Sequence, residues 1–211
     1  MAKNGVMRDG VVVGLLVPAA YLLGTFPSAQ IVARRRGIDI HTEGSGNPGA
    51  SNASRLLGWR WGVFVFVLDA SKGAIAAALG LLVADGHVGG YVLGIAAILG
   101  HTFPATRRFK GGRGVATGGG VLLVIFPLLT VGAAALWFVI VRVTHKASLA
   151  SIAVVVAAPV AVALAGHPWG DVTVIAAVAA FLVARHAANL KRLFRGEELG
   201  IDRSPGDDGD G

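Results

Sequence analysis

Apolar residues in this chain fall in long runs, and the polar positions are gathered between them. The first run, residues 11–33, is almost unbroken; others cover 61–84, 89–105, 115–141, 149–166 and 171–185. At ~1.5 Å per helical residue, about 23 residues cross a hydrocarbon core of roughly 30 Å. The first run therefore predicts a membrane-spanning helix by itself, and the shorter ones reach across only with packed neighbours. The expected fold class is all-α: a polytopic membrane helix bundle forming one domain over residues 1–200. An acidic, glycine-rich tail over 201–211 is expected to be disordered and cytoplasmic.

Composition agrees with this reading. With 54% hydrophobic and only 15% charged residues and a mean hydropathy of +0.67, the chain lies outside the range of a water-soluble domain of its length. A cleaved signal peptide over residues 1–30 is disfavoured: its apolar run exceeds a signal core, no small-x-small cleavage site follows, and Arg34-Arg35-Arg36 would have to cross the membrane. The absence of cysteine removes disulfides, thiolate nucleophiles and Cys-based metal sites.

Charge placement predicts orientation, because cytoplasmic loops collect Lys and Arg. Residues 34–60 hold five, 106–114 four, 142–148 two and 185–211 five, whereas the connections near 85–88, 126–127 and 167–171 hold none. Keeping every basic stretch on one side requires two crossings between Arg113 and Arg142. The 28 intervening residues make about 42 Å of helix against about 60 Å for two full crossings. Two short or tilted helices meeting near Phe126-Pro127 are expected. The result is seven transmembrane segments, N-terminus out and C-terminus in.

Within the runs, frequent Gly and Ala let helix backbones approach closely in lipid. Asp69 and Lys72 stand out, since ionisable groups inside a membrane segment are costly unless paired. Three residues apart, they share one helical face and can neutralise each other. Structural pairing and support of a site are both open to them.

Three polar motifs carry the candidate chemistry. In the first, Gly44, Gly46 and Gly49 permit a backbone nest for an oxyanion, Ser45, Asn47, Ser51 and Asn52 add neutral donors, and Arg55 adds a planar fork suited to phosphate. In the second, Lys110 and Arg113 flank Gly111-Gly112; if Gly114 to Thr117 opens a helix, its positive end favours an anion there. The nucleotide P-loop pattern is absent. In the third, His186 and Asn189 lie three apart, hence on one face of a helix, with Arg192 and Arg195 at similar spacing.

All three motifs, in this order, resemble the bacterial membrane glycerol-3-phosphate acyltransferases that use acyl phosphate as donor. The family's G-S-G-N-x-G-A-T-N-x-x-R is matched by Gly44 to Arg55, with Ser51 for threonine. F-K-G-G-K-x-V-A-T is matched by Phe109 to Thr117, with Arg113 for lysine. R-H-x-x-N-I-x-R-L-x-x-G-x-E is matched by Arg185 to Glu198, with Leu190 for isoleucine. Weaker echoes are Asp69-x-x-Lys72-Gly73, Gly100-His101-x-Phe103-Pro104 and Ser148-Leu149-Ala150-Ser151, and His41 stands where the family has arginine.

The resemblance implies transfer of a fatty acyl group from acyl phosphate to the 1-hydroxyl of glycerol 3-phosphate, in a bacterial inner membrane, giving lysophosphatidate and phosphate. It implies no metal or other cofactor and no nucleic acid; the partners are the two substrates and membrane lipid. Ser45, Arg113 and His186 are expected to be catalytic. Asn47, Asn52, Arg55, Lys110, Gly112, one of Ser148 or Ser151, and Asn189 are expected to bind substrate. The alternative is a membrane transporter for a phosphorylated solute, which calls for an inverted repeat and a path across the bilayer. No repeat is found, and the motifs lie on one side.

Overall fold

The computed structural model describes residues 2–201, with side chains from Met7 onwards; the expected disordered tail from residue 202 lies outside the described residues. Ten α-helices follow one another: α1 (Ala2–Gly24), α2 (Ser28–Arg34), α3 (Ala50–Leu57), α4 (Trp59–Val83), α5 (Val88–Thr102), α6 (Val115–Ile125), α7 (Pro127–Thr144), α8 (Ala147–Leu164), α9 (Trp169–Arg185) and α10 (Ala187–Phe194). There is no strand among the described residues. Among the described residues, five stretches are long and apolar enough to cross a membrane: Met7–Arg34, Trp59–Val83, Val88–Arg107, Pro127–Thr144 and Ala147–Leu164. α9 and α10, bent by 60° at their junction, make a sixth if taken as one broken span.

The break anticipated at Phe126-Pro127 is present. α6 ends after 11 residues, Phe126 leaves helical geometry (φ −132°, ψ 67°), and Pro127 opens α7, where its missing N–H costs nothing. The first apolar run departs from expectation, because it is not one helix. Pro27 interrupts it, and the carbonyls freed at the break find donors elsewhere: Lys72 Nζ donates to Phe26 O at 3.0 Å and Arg107 Nη2 to Thr25 O at 2.7 Å. In an apolar surround an unpaired carbonyl costs several kcal/mol (~2–7), so two cations hold this break open.

Helix backbones touch where glycine allows it. A Cβ on Gly73 would lie 1.9 Å from Thr117 O, and one on Gly120 1.9 Å from Ala70 O, so α4 and α6 pack main chain to main chain. α1 and α5 meet in the same way through Gly24 against Ala97 O and Gly100 against Tyr21 O. The small-residue content read from the sequence is thus a packing device. By contrast α7 buries no side chain fully, leaving Leu128, Val131, Phe138 and Val143 exposed.

Contacts between connections define two ends of the bundle. At one end His87 Nδ1 pairs with Asp171 Oδ2 at 3.1 Å, Tyr91 donates to Asp171 Oδ1 at 2.9 Å, and the Phe126 ring meets His87 and His167. These are the connections without Lys or Arg. At the other end Arg107 reaches Thr25, Arg185 lies over Phe103, Arg55 bonds Gly200, and Ile201 N donates to His145 O. All the basic connections meet there.

Gly120→Ala should destabilise the bundle by about 1–3 kcal/mol, since a methyl group there must push two backbones apart. Gly119→Ala, with nothing within 4 Å of its Cβ position, should be neutral or stabilising by up to ~1 kcal/mol. Thermal unfolding of both variants in detergent reads the difference; equal midpoints would remove backbone contact as the packing device.

Candidate functional site

The loop before α3 is built around Asn52. This side chain is 1% exposed; its Nδ2 donates to Ile40 O at 3.2 Å and Glu43 O at 3.1 Å, and its Oδ1 accepts from Ser45 N at 2.9 Å and Arg55 Nη1 at 3.2 Å. Every polar atom of the amide is satisfied within the protein. Asn52 therefore positions Ser45 and Arg55, and no donor or acceptor of its own is left for a ligand.

The expected backbone nest takes a different form. Gly44 and Gly46 do adopt positive φ (59° and 66°), but Gly49 is extended at φ −138°. The N–H groups of Ser45, Gly46 and Gly49 are bonded to Asn52 Oδ1, Glu43 O and Asn47 O. These glycines let the loop fold tightly over Asn52, and the N–H groups of Ser45, Gly46 and Gly49 are not free to receive an anion. Asn47 packs its amide against Gly49.

The second loop sits on the end of α5. Gly112 N donates to His101 O at 3.1 Å, and Gly114, at φ 89°, caps α6 at Val115, as the sequence suggested. Arg113 follows the seated glycines. Burial brings its pKa down to about 10, against the pull of Glu198 and with Arg192, Arg55 and Arg185 adding repulsion. Lys110 is exposed and stands apart from this group.

The third motif is not one helix. The chain turns by 60° between α9 and α10, at His186, and the turn buries both His186 (2% exposed) and Asn189 (1%). His186 Nδ1 lies 2.8 Å from Leu182 O; a carbonyl only accepts, so this nitrogen carries the proton and Nε2 presents a lone pair. Burial lowers the ring's pKa to about 4, against the raising effect of the Leu182 bond and with Arg113 adding to the fall. The ring is neutral near pH 7.

Glu198 closes the cluster. Its Oε1 accepts from Asn189 Nδ2 at 2.6 Å and its Oε2 from Arg192 Nε at 2.8 Å. Burial pushes the carboxyl up, but Ser148, Asn189 and Arg192 outweigh it and hold the group below its ordinary value. The Ser148 hydroxyl helps by proximity, without closing a hydrogen bond of normal geometry. Burial also lowers Arg55, opposed by Glu198 and reinforced by Arg192. Arg55 Nε is tied to Gly200 O at 2.8 Å.

Arg55, Arg113, His186 and Asn189 are thus brought together, as the sequence led one to expect. Arg55, Arg113 and Arg192 share the one carboxylate of Glu198, with Arg185 acting on Arg113, and several buried polar atoms nearby have no partner among the described residues: Ser148 Oγ, Asn189 Oδ1, Arg185 Nε and Arg192 Nη2. Buried polar groups are nearly always paired. A site with surplus positive charge and idle donors is built for an anion. Of the two candidate serines, Ser148 stands beside Glu198, whereas Ser151 accepts a hydrogen bond from Trp137 Nε1 at 3.1 Å.

The third motif ends on Glu198, but sequence reading gave that carboxylate no role and gave Arg185 and Arg192 no firm part. Glu197 and Glu198 are adjacent; the motif match picks out Glu198, and the turn at Gly196 (φ 72°) directly precedes the pair. Arg192 did carry a usable sign, its three-residue spacing from Asn189.

Residues 14–196 match the family described as Glycerol-3-phosphate acyltransferase. The glycerol-3-phosphate acyltransferase of Bacillus velezensis is 41% identical over 191 residues, covering 89% of this chain and 97% of that protein. Its counterpart from Bacillus subtilis is 40% identical with the same shares. The crystal structure of PlsY, an integral membrane glycerol 3-phosphate acyltransferase, in its glycerol 3-phosphate form is similar with a TM-score of 0.83 at 34% identity, over 90% of this chain and 95% of that one. Its lysophosphatidic acid form gives a TM-score of 0.81 at the same identity and coverage.

Glu198→Gln should destabilise the protein in a pH-dependent way. The carboxyl is held below its ordinary value of 4.5, so its contribution is complete above that value and is lost as pH falls through the lower value of the folded state. Thermal midpoints of the two proteins should differ at pH 7 and converge on acidification; a gap that persists unchanged into acid would mean that the charge is not what stabilises.

Proposed function

The chain belongs to the glycerol-3-phosphate acyltransferase family, and we propose that it transfers a fatty acyl group from acyl phosphate to the 1-hydroxyl of glycerol 3-phosphate. The observation that supports this most is the surplus of buried positive charge around Glu198, next to unpartnered donors. Both substrates carry phosphate. PlsY, the similar enzyme of known structure, has a glycerol 3-phosphate form and a lysophosphatidic acid form, in keeping with a pocket that takes the acceptor and releases its acylated product.

In this reading Arg55, Arg113 and Arg192 grip phosphate oxygens, and the Ser45 and Ser148 hydroxyls donate to them. Asn52 holds Ser45 and Arg55 in place. His186 accepts a hydrogen bond from the acceptor hydroxyl at Nε2, and Asn189 Oδ1 completes its orientation. The hydroxyl oxygen attacks the acyl carbonyl carbon, an ester bond forms, and the bond from that carbon to the phosphate oxygen breaks. The proton passes to a phosphate oxygen: an imidazole of pKa about 4 is a weak proton store at neutral pH. The mixed anhydride supplies a good leaving group, so positioning and electrostatics remain for the protein.

The basic end of the bundle faces the cytoplasm in this reading. α6 and α7 together make the two additional crossings of the inner membrane, for seven in all, with the N-terminus outside. A reporter fused after residue 211 should be active inside the cell only; periplasmic activity would reverse the arrangement.

Purified protein in detergent should release phosphate from acyl phosphate only when glycerol 3-phosphate is present, and acyl-CoA should not replace the donor. Arg113→Ala should lower kcat/KM by about 10²–10³, whereas Arg113→Lys should stay within about tenfold of the parent; equal loss from both would make fork geometry, not charge, the requirement. For His186→Ala, an acid limb of kcat/KM near the second ionisation of a phosphate monoester, about pH 6, should survive. Its disappearance would assign the titration to the ring.

A further inference from the structure

A second buried polar group lies beneath the second loop and has no part in the chemistry proposed above. Asp69 and Lys72 on α4 and His101 on α5 are 1%, 3% and 6% exposed. Lys72 Nζ lies 2.7 Å from Asp69 Oδ1, 3.0 Å from Phe26 O and 3.1 Å from His101 Nδ1. Ser28 Oγ donates to the same Asp69 oxygen. An ammonium has three protons, and here it meets three acceptors. Asp69 and Lys72 already neutralise each other, so the charge balance does not call for His101.

The imidazole faces in two directions. Because Lys72 donates to Nδ1, that nitrogen is the acceptor and the ring proton resides on Nε2. The Nε2 edge lies against the second loop: a Cβ added to Gly112 would sit 2.2 Å from Nε2, and one on Gly111 would sit 2.1 Å from His101 O. Gly112 N also donates to that carbonyl. Arg113 is the next residue. Its position is therefore set by how closely the Gly111-Gly112 turn settles on His101.

We propose that His101, fixed in one tautomer and orientation by the buried Lys72-Asp69 pair, is a positioning residue for the anion site: it is the seat on which Gly111-Gly112 rests, and it determines where the Arg113 guanidinium meets phosphate. The proposal rests on the phosphate-binding role given to Arg113 above. It gives Asp69 and Lys72 a purpose beyond mutual neutralisation, since a histidine free to rotate would let the turn shift. It also explains why the loop needs glycine at 112, a position whose φ is not in the left-handed region and where alanine would otherwise be allowed.

Steady-state kinetics of Gly112→Ala, His101→Asn, His101→Gln and the double variant His101→Asn/Gly112→Ala test it. Asparagine retains an acceptor for Lys72 but lacks the Nε2 edge; glutamine places an amide near Nε2 but loses the acceptor. Gly112→Ala should raise KM for a phosphate-bearing substrate by about tenfold or more. The double variant should recover to near the KM of His101→Asn, because the added methyl group then enters the space the ring has left. Both single His101 variants should raise KM about threefold or more.

A defect in folding alone lowers the active fraction, and so apparent kcat, at unchanged KM. Unchanged KM in both His101 variants, or additive losses in the double variant, would overturn the proposal. Should His101→Asn fail to fold, His101→Gln and Gly112→Ala still decide it by their KM values. Full activity in Arg113→Ala would instead remove the role of Arg113 on which the proposal stands.

Discussion

Arg55, Arg113 and Arg192 act on one another around the carboxylate of Glu198, at the end of the bundle where the basic connections converge. Burial is the main cause that lowers the pKa values of Arg55 and Arg113, and repulsion from neighbouring guanidinium groups adds to it. One carboxylate anchors the group by bonding Arg192 and Asn189 without cancelling it. The residual charge is a standing demand for an anion, and a phosphate with two negative charges and several acceptor oxygens meets it better than any side chain in reach.

Holding such a pocket at the edge of an apolar bundle requires a rigid frame. Main-chain contacts through Gly73, Gly120, Gly24 and Gly100 fix α1, α4, α5 and α6 against each other. The break in the first helix at Pro27 is stabilised by Lys72 and Arg107. The same lysine orients His101, and His101 carries the second loop. From the membrane interior to the anion pocket there is a continuous line of polar contacts, each link satisfied before the next begins. It ends at Arg113.

Much of this was legible in the sequence for physical reasons. Apolar runs mark helices because a lipid-embedded backbone must satisfy itself, and the lopsided distribution of Lys and Arg placed every polar motif at one end, where the structure has them. The break at Pro127 followed from the charge count and the available length. Other features depend on three-dimensional closure. The amide of Asn52 looked like a ligand-binding group; its four bonds belong to loop residues 40–55, and only the folded turn reveals that. The nest expected from Gly44, Gly46 and Gly49 fails because the N–H groups of Ser45, Gly46 and Gly49 find acceptors within the loop. Glu198 enters the site through the turn at Gly196 and a segment that crosses back to Arg55, and neither leaves a periodic trace.

The direct test of an anion pocket made from these arginines is thermal unfolding of the detergent-solubilised protein in the presence of glycerol 3-phosphate, with uncharged glycerol as control. A ligand that binds only the folded state raises the midpoint in proportion to its saturation. Glycerol 3-phosphate should raise it, glycerol at equal concentration should not, and added salt should diminish the shift. No shift with glycerol 3-phosphate at any concentration, or the same shift with glycerol, would contradict a pocket held open for phosphate by Arg55, Arg113 and Arg192.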